Sequence, residues 1–213
     1  MVMSMSKPMN AVVLTIVVWG CATGAATYTP PAPVPAPPNT ITIERSRSDL
    51  WRALVPAIGR TFFVINNLDQ SSGLINVSFS GSPETYLDCG RIVSNVSDGT
   101  EKHTYAFPAA RAQERYPIVT GTGLKVVERS ISLEGRVNLI LEDVSATLTR
   151  LTVNVRYVVT RQIRVAPPAF GDAIDVISFS SSGRATFPGD DPGTTCQATG
   201  ALEKEVLALV NSP

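Results

Sequence analysis

With one histidine and three cysteines in 213 residues, the chain has little material for a His-built metal centre or for histidine-driven chemistry. His103 stands in "TEKHTYAF", where nothing adjacent offers a nucleophile, and it reads as a surface side chain. No C-x-x-C, H-E-x-x-H, G-x-S-x-G or Walker loop occurs, so four common catalytic or nucleotide-binding classes lack their signature. The "GTG" of Gly121 to Gly123 has no flanking strand and helix and reads as a turn. Charged residues make up only 17% and sum to zero, so no general attraction to nucleic acid is expected. The carboxylates are scattered, and neighbours such as Glu142 and Asp143 point to opposite faces of a strand. Asp190 and Asp191 in "FPGDDPG" read first as a turn. No catalytic residue, metal ligand or cofactor site is nominated, and a non-enzymatic role is expected.

What the chain does have begins at its front. "MVMSMSKPMNAVVLTIVVWG" (residues 1–20) carries Lys7 and then an apolar stretch from Ala11 to Trp19. That stretch falls far short of the ~20 residues a spanning helix needs. A short apolar core behind a positive residue, ending at small residues, is a secretory signal pattern. "VWGC" (Val18 to Cys21) resembles the lipobox of bacterial lipoproteins. The resemblance implies cleavage before Cys21, lipidation of Cys21 with acyl chains such as palmitate, and a membrane anchor. Ala22, where an aspartate would mark inner-membrane retention, implies the periplasmic face of the outer membrane.

Residues 21–40 are expected to be the lipidated Cys21 plus a linker. Six prolines fall between Pro30 and Pro38, and Ala22 to Thr40 carries no charge. Prolines remove amide donors and fix φ, so a disordered or semi-rigid stalk reaching roughly 50–60 Å is expected.

Residues 41–213 then read as a single α+β domain. "ITIERS" alternates as a short strand, and "SRSDLWRALVPAIG" reads as a helix, with Ser46 and Asp49 as its start signal. Leu50, Trp51, Leu54, Val55 and Ile58 form its apolar face, and Pro56 is expected to kink or shorten it. "TFFVINN" and "LINVSFS" read as a hairpin, with Ile75, Val77 and Phe79 facing inward. Gly81 to Thr122 shows turn signals and only short strand candidates, and is expected to be an irregular excursion. "GRVNLILED" and "TRLTVNVRYVVTRQIRV" alternate cleanly, with Leu151, Val153, Val155, Tyr157 and Val159 on one face. One dry and one wet face mark an antiparallel sheet. "DAIDVISFSSSGRATF" adds a strand candidate and "TGALEKEVLALV" a closing helix. The expected architecture is an antiparallel sheet with two helices packed on one face.

Two cysteines remain, Cys89 and Cys196. In an oxidising periplasm they are expected to pair, closing a loop of roughly 107 residues. The alternative is a reactive cysteine served by His103.

"DLWRALVPAIGRTFFVINNLDQSSGLINVSF" (Asp49 to Phe79) is similar in pattern to the helix-grip domains of BamC-type outer-membrane lipoproteins. Trp51, Asp69 and Gly73 stand where that pattern has its helix tryptophan, turn aspartate and glycine. The resemblance implies a helix-grip-like fold and a part in outer-membrane protein assembly. The expected function is therefore an accessory or scaffold subunit of an assembly or secretion machine. Its expected partners are the membrane and other envelope proteins, with no nucleic acid. The alternative is a periplasmic binding module for a lipid or other small apolar ligand. Such a ligand would sit between helix and sheet against Trp51, Phe62, Phe63 and Phe79, which read equally as core. For the scaffold reading, the docking surface is expected at the open sheet edge and within Gly81 to Thr122. Deleting Asn95 to Thr104 is then expected to spare folding.

Overall fold

The computed structural model describes residues 22–36, 38–97, 99–166, 172–189 and 193–211. Residues 1–21, and with them the signal segment and Cys21, lie outside the described residues. The elements in chain order begin with β1 (Thr23–Thr29), β2 (Thr40–Ile43), α1 (Arg47–Gly59), β3 (Val64–Asp69) and β4 (Leu74–Gly81). Then come α2 (Pro83–Tyr86), β5 (Leu87–Asp88), β6 (Arg91–Ser97), β7 (Lys102–Pro108) and β8 (Gln113–Thr120). The long strands β9 (Gly123–Ser145) and β10 (Leu148–Ala166) follow, then β11 (Ala173–Ser180), β12 (Arg184–Thr186) and β13 (Thr195–Ala198). The helix α3 (Ala201–Ala208) closes the chain with a 3-10 turn at Leu209–Asn211.

The fold is mostly β, with antiparallel sheets and few, short helices, rather than an even α+β mixture. Its spine is the β9–β10 hairpin, paired from Leu148↔Ser145 to Ala166↔Val126. On the β9 side lie first β4, with β3 outside it, and then β8. On the β10 side lie β2 and then β11. The dry face carries Val137, Leu139, Leu141, Leu151, Val153, Val155, Tyr157 and Val159, all buried. Both α1 and α3 contact β10, and α1 also touches β3, β9 and the closing 3-10 turn.

Local chemistry explains α1. Ser46 caps it, accepting from the Asp49 amide at 3.2 Å while its hydroxyl donates to the Asp49 carboxylate at 2.7 Å. This exchange satisfies an orphan amide of the first turn. Leu50, Trp51, Leu54 and Ile58 go into the core. The helix runs through Pro56 without stopping and ends at Gly59. Pro56 removes only the bond to the Arg52 carbonyl, and burial of the apolar face outweighs that loss.

Most of residues 81–122 are a correction to the sequence reading: they form α2 and the strands β5 to β8, not an irregular excursion. β6 pairs with β1 on one side and β7 on the other, forming a small second sheet. Its alternation is obscured because a serine holds a buried position. Ser94 is fully buried and donates its hydroxyl to the Pro117 carbonyl in β8. Deleting Asn95–Thr104 would remove the ends of both β6 and β7, so such a deletion is expected to disrupt the fold instead of sparing it. A third small sheet, β12-β13-β5, carries the bond between Cys89 and Cys196.

Candidate functional site

The segment expected to be a free stalk is in large part bound to the domain. Thr23–Thr29 pairs along its whole length with β6, from Thr23↔Ser97 to Thr29↔Arg91. The residues of "TGAATYT" are small, apart from Tyr28, so the strand can lie close to its neighbours. A Cβ on Gly24 would stand 2.5 Å from the Asn95 carbonyl and 3.0 Å from a Val119 methyl of β8. The Tyr28 hydroxyl donates to the Thr195 carbonyl at 3.2 Å and accepts from the Thr195 amide at 2.8 Å. Burial raises the pKa of this phenol. Further on, Pro31 is buried, Gln197 donates to the Ala32 carbonyl at 2.6 Å, and the Val153 amide donates to the Asn39 carbonyl at 2.7 Å. Prolines cost this segment donors but not acceptors, and it is the carbonyls that the domain uses. Gly24→Val is expected to lever the strand away from β8. Amide exchange over residues 23–29 should then rise at least tenfold while α1 stays protected; unchanged protection would show that the strand does not need this close approach.

At the start of this strand lies an apolar pocket of about 380 Å³. Ala22 forms part of its wall, with Val96 and Tyr105 from the small sheet and Pro117, Leu124 and Val126 from the far end of β8 and β9.

The groove expected between helix and sheet is filled by side chains. Trp51, Phe63 and Phe79 are buried, with Phe79 packed edge-on against Tyr86 at 4.8 Å and Phe63 at 6.0 Å. Gly135 makes the room: a Cβ there would meet the Phe79 ring at 2.6 Å. Phe62 packs its ring 4.8 Å from Phe63 and 5.7 Å from Phe79 at the rim of this cluster, and is 58% exposed. It borders a shallow trough of about 540 Å³ on the wet face of the large sheet, with Val64 beside it. Ser78 and Ser80 form its low floor, and Glu134 and Arg136 rise opposite. Alongside runs a row of amides: Asn66 donates to Asn76 at 3.1 Å, and Asn76 donates to Asn138. Asn138 faces Asn154 across β9 and β10, and Asn39 donates to Asn154 at 3.2 Å. Cross-strand amide pairs of this kind hold neighbouring strands in register.

Two features were not foreseen from the sequence. Arg129 of β9 and Arg161 of β10 occupy inward positions and are 3% and 1% exposed. Arg161 pairs with Asp175 at 2.6 Å, donates to the Pro188 carbonyl at 3.1 Å and stacks 4.5 Å over the Phe187 ring. Arg129 donates to the Ala109 carbonyl through Nη1, while its Nη2 has no partner among the described residues. Burial lowers its pKa to about 10. An unpaired buried charge costs stability. Arg129→Met, which keeps the apolar stem, is therefore expected to be neutral or to stabilise by about 1–2 kcal/mol. A fall in the unfolding midpoint would show that the bond to Ala109 outweighs the charge. The second feature is Glu203 of α3, fully buried, whose two carboxylate oxygens accept from the Tyr157 hydroxyl at 2.9 and 2.8 Å.

The other residues singled out in the sequence form no common site among the described residues. Cys89 and Cys196 are bonded to each other, so neither is a free thiol for His103 to serve. His103 is exposed and lies 3.3 Å from Glu101. Glu142 reaches toward Arg150 at 3.9 Å, and Asp143 pairs with Arg47 at 2.9 Å. Asp190 and Asp191 lie outside the described residues. Among the described residues, no three metal-ligating side chains converge, and no helix is long and apolar enough to cross a membrane. Compared with protein-family models, curated proteins and solved structures, the chain matches none.

Proposed function

We propose that the protein is a non-enzymatic lipoprotein of the bacterial envelope, held through Cys21 at the periplasmic face of the outer membrane. Its domain acts as an accessory or scaffold subunit of an outer-membrane assembly or secretion machine. The observation that carries this reading is the N-terminal strand. The chain passes from the lipobox-like "VWGC" almost directly into β1, which is paired along its whole length. A domain strapped this closely behind its anchor is a fixed platform. Its buried polar groups are spent on holding the fold, as with Tyr157 on Glu203 and Arg161 on Asp175. Helices on the dry face of an antiparallel sheet support a helix-grip-like core of the BamC type, with Trp51 in α1 and Asp69 and Gly73 at the β3–β4 turn.

A second reading, a binding module for a small ligand, is favoured by Phe62, exposed at the rim of the trough. The amides and charges beside it fit an amphiphilic molecule better than a wholly apolar one.

Both readings are tested on one preparation. The chain is expressed with its own signal and a C-terminal tag, extracted in mild detergent and analysed by mass spectrometry, with Cys21→Ala as control. Stoichiometric envelope proteins that disappear in the control are the expected result. A lone lipidated protein carrying a small molecule would favour the second reading, and protein without lipid would overturn the anchor.

A further inference from the structure

We infer that the end of the molecule marked by Ser97 of β6, Lys102 of β7 and the β8–β9 turn rests on the lipid bilayer, with Leu124 in contact with it. The inference depends on the proposed lipidation of Cys21.

Covalent geometry gives the first argument. Thr23 pairs with Ser97, the last residue of β6, so Ala22 stands at this end of the small sheet. Ala22 also lines the pocket shared with Leu124 of β9. Consecutive Cα atoms are about 3.8 Å apart, so the Cα of Cys21 stands within that distance of Ala22 whatever its conformation. A lipid on Cys21 leaves the domain no long tether, and it is this end that the anchor draws to the membrane.

The surface there fits that partner. Leu124 is 50% exposed, and Val96, Tyr105, Pro117 and Val126 continue the apolar surface into the pocket. Tyrosine at such a boundary presents an apolar ring and a polar tip, the arrangement favoured at bilayer interfaces. Lys102 and Lys125, two of the three lysines among the described residues, flank the tips. Among the described residues neither is in an ion pair, while Glu128 pairs with Arg115 and Glu101 lies 3.3 Å from His103. Free lysines next to exposed apolar groups suit anionic headgroups. The β8–β9 turn itself, Gly121–Thr122, carries no carboxylate.

The test uses the full lipidated protein in vesicles containing phospholipids brominated on their acyl chains, which quench tryptophan at short range. Leu124→Trp reports on this end. Ala146→Trp reports on the turn at the opposite end of β9, roughly 70 Å away at about 3.3 Å per residue. Thr122→Trp is a second reporter if Leu124→Trp does not fold, and Trp51, buried in the core, gives the common background. The expected result is quenching at least twofold stronger at position 124 or 122 than at 146, with a blue shift. Equal quenching, or stronger quenching at 146, on protein whose mass shows the lipid would overturn this inference alone. A mass without lipid would overturn the anchor reading and this inference with it.

Discussion

Replacing Cys89 and Cys196 together by alanine is expected to lower stability by about 2–5 kcal/mol. The bridge spans a sequence separation of 107, and both cysteines are fully buried. The loop-entropy account puts a loop of this size near 4–5 kcal/mol, the upper end of that range. The local structure cannot compensate. β5 pairs with β13 through only Gln197↔Asp88 and Ala198↔Leu87, and strands this short do not hold together by themselves. β13 also supplies Thr195 and Gln197, which hold Tyr28 and the Ala32 carbonyl of the N-terminal segment. Loss of the bridge should therefore loosen that segment as well. In urea the midpoint should fall by roughly 1–2 M, given typical slopes of a few kcal/mol per molar. Reduced wild-type protein should fall by the same amount. Equal midpoints for variant and wild type would mean the bridge contributes nothing.

Tyr157→Phe is the second large effect, with an expected cost of about 3 kcal/mol. The change removes one hydroxyl and opens almost no cavity. It leaves the buried Glu203 carboxylate without the donor that meets both of its oxygens. Placement in the first turn of α3 eases the negative charge but does not replace that bond. Tyr157→Phe combined with Glu203→Leu should cost clearly less than Tyr157→Phe alone, because both polar partners then leave together. A double variant as unstable as the single one would refute the argument.

The same pair sets the alkaline limit. Burial, and the Glu203 carboxylate beside it, push the pKa of Tyr157 far above its usual 10.0. Burial and Glu205 raise Tyr86 to about 12, and burial raises Tyr28 and Tyr116 as well. Above pH ~10 the unfolded chain loses these protons while the folded chain keeps them, so stability present below that pH is lost as pH rises. Arg129 acts in the opposite sense. Its folded form releases a proton near pH 10, so its cost is relieved as pH rises from there toward 12.5. Four tyrosines outweigh one arginine, and stability should fall steeply above pH 10. Tyr157→Phe should flatten that fall by about 1.4 kcal/mol per pH unit between pH 10.5 and 12. An unchanged slope would show that Tyr157 titrates elsewhere.

Much of the hydrophobic framework was legible in the sequence. Strict alternation placed Val137, Leu139 and Leu141 and the run from Leu151 to Val159 on one buried face. The Ser46 and Asp49 signal marked the start of α1, and helical spacing identified its core residues. The ends of the long strands were harder to read, because β9 sets Arg129 and Gly135 at inward positions among Val127, Ile131 and Leu133. An arginine or a glycine breaks an apolar pattern even where the backbone continues unbroken.

The candidate site divides in the same way. The apolar run before Cys21 and the pairing chemistry of two remaining cysteines are local or compositional, and one sequence carries them. Which partner the N-terminal segment would find is not local. Thr23–Thr29 is bound because β6 offers a free edge, Gly24 has no Cβ to strike the Asn95 carbonyl and the Val119 methyl, and Thr195 lies within reach of Tyr28. Those groups lie some 70 to 170 residues further along the chain. Periodicity and side-chain chemistry determined the buried face and the capped helix from the sequence by itself. Tertiary structure alone decided that Thr23–Thr29, just ahead of the prolines, is a strap and that two arginines and a glutamate lie inside, because partners distant in the chain supply the bonds that offset the cost of holding them there.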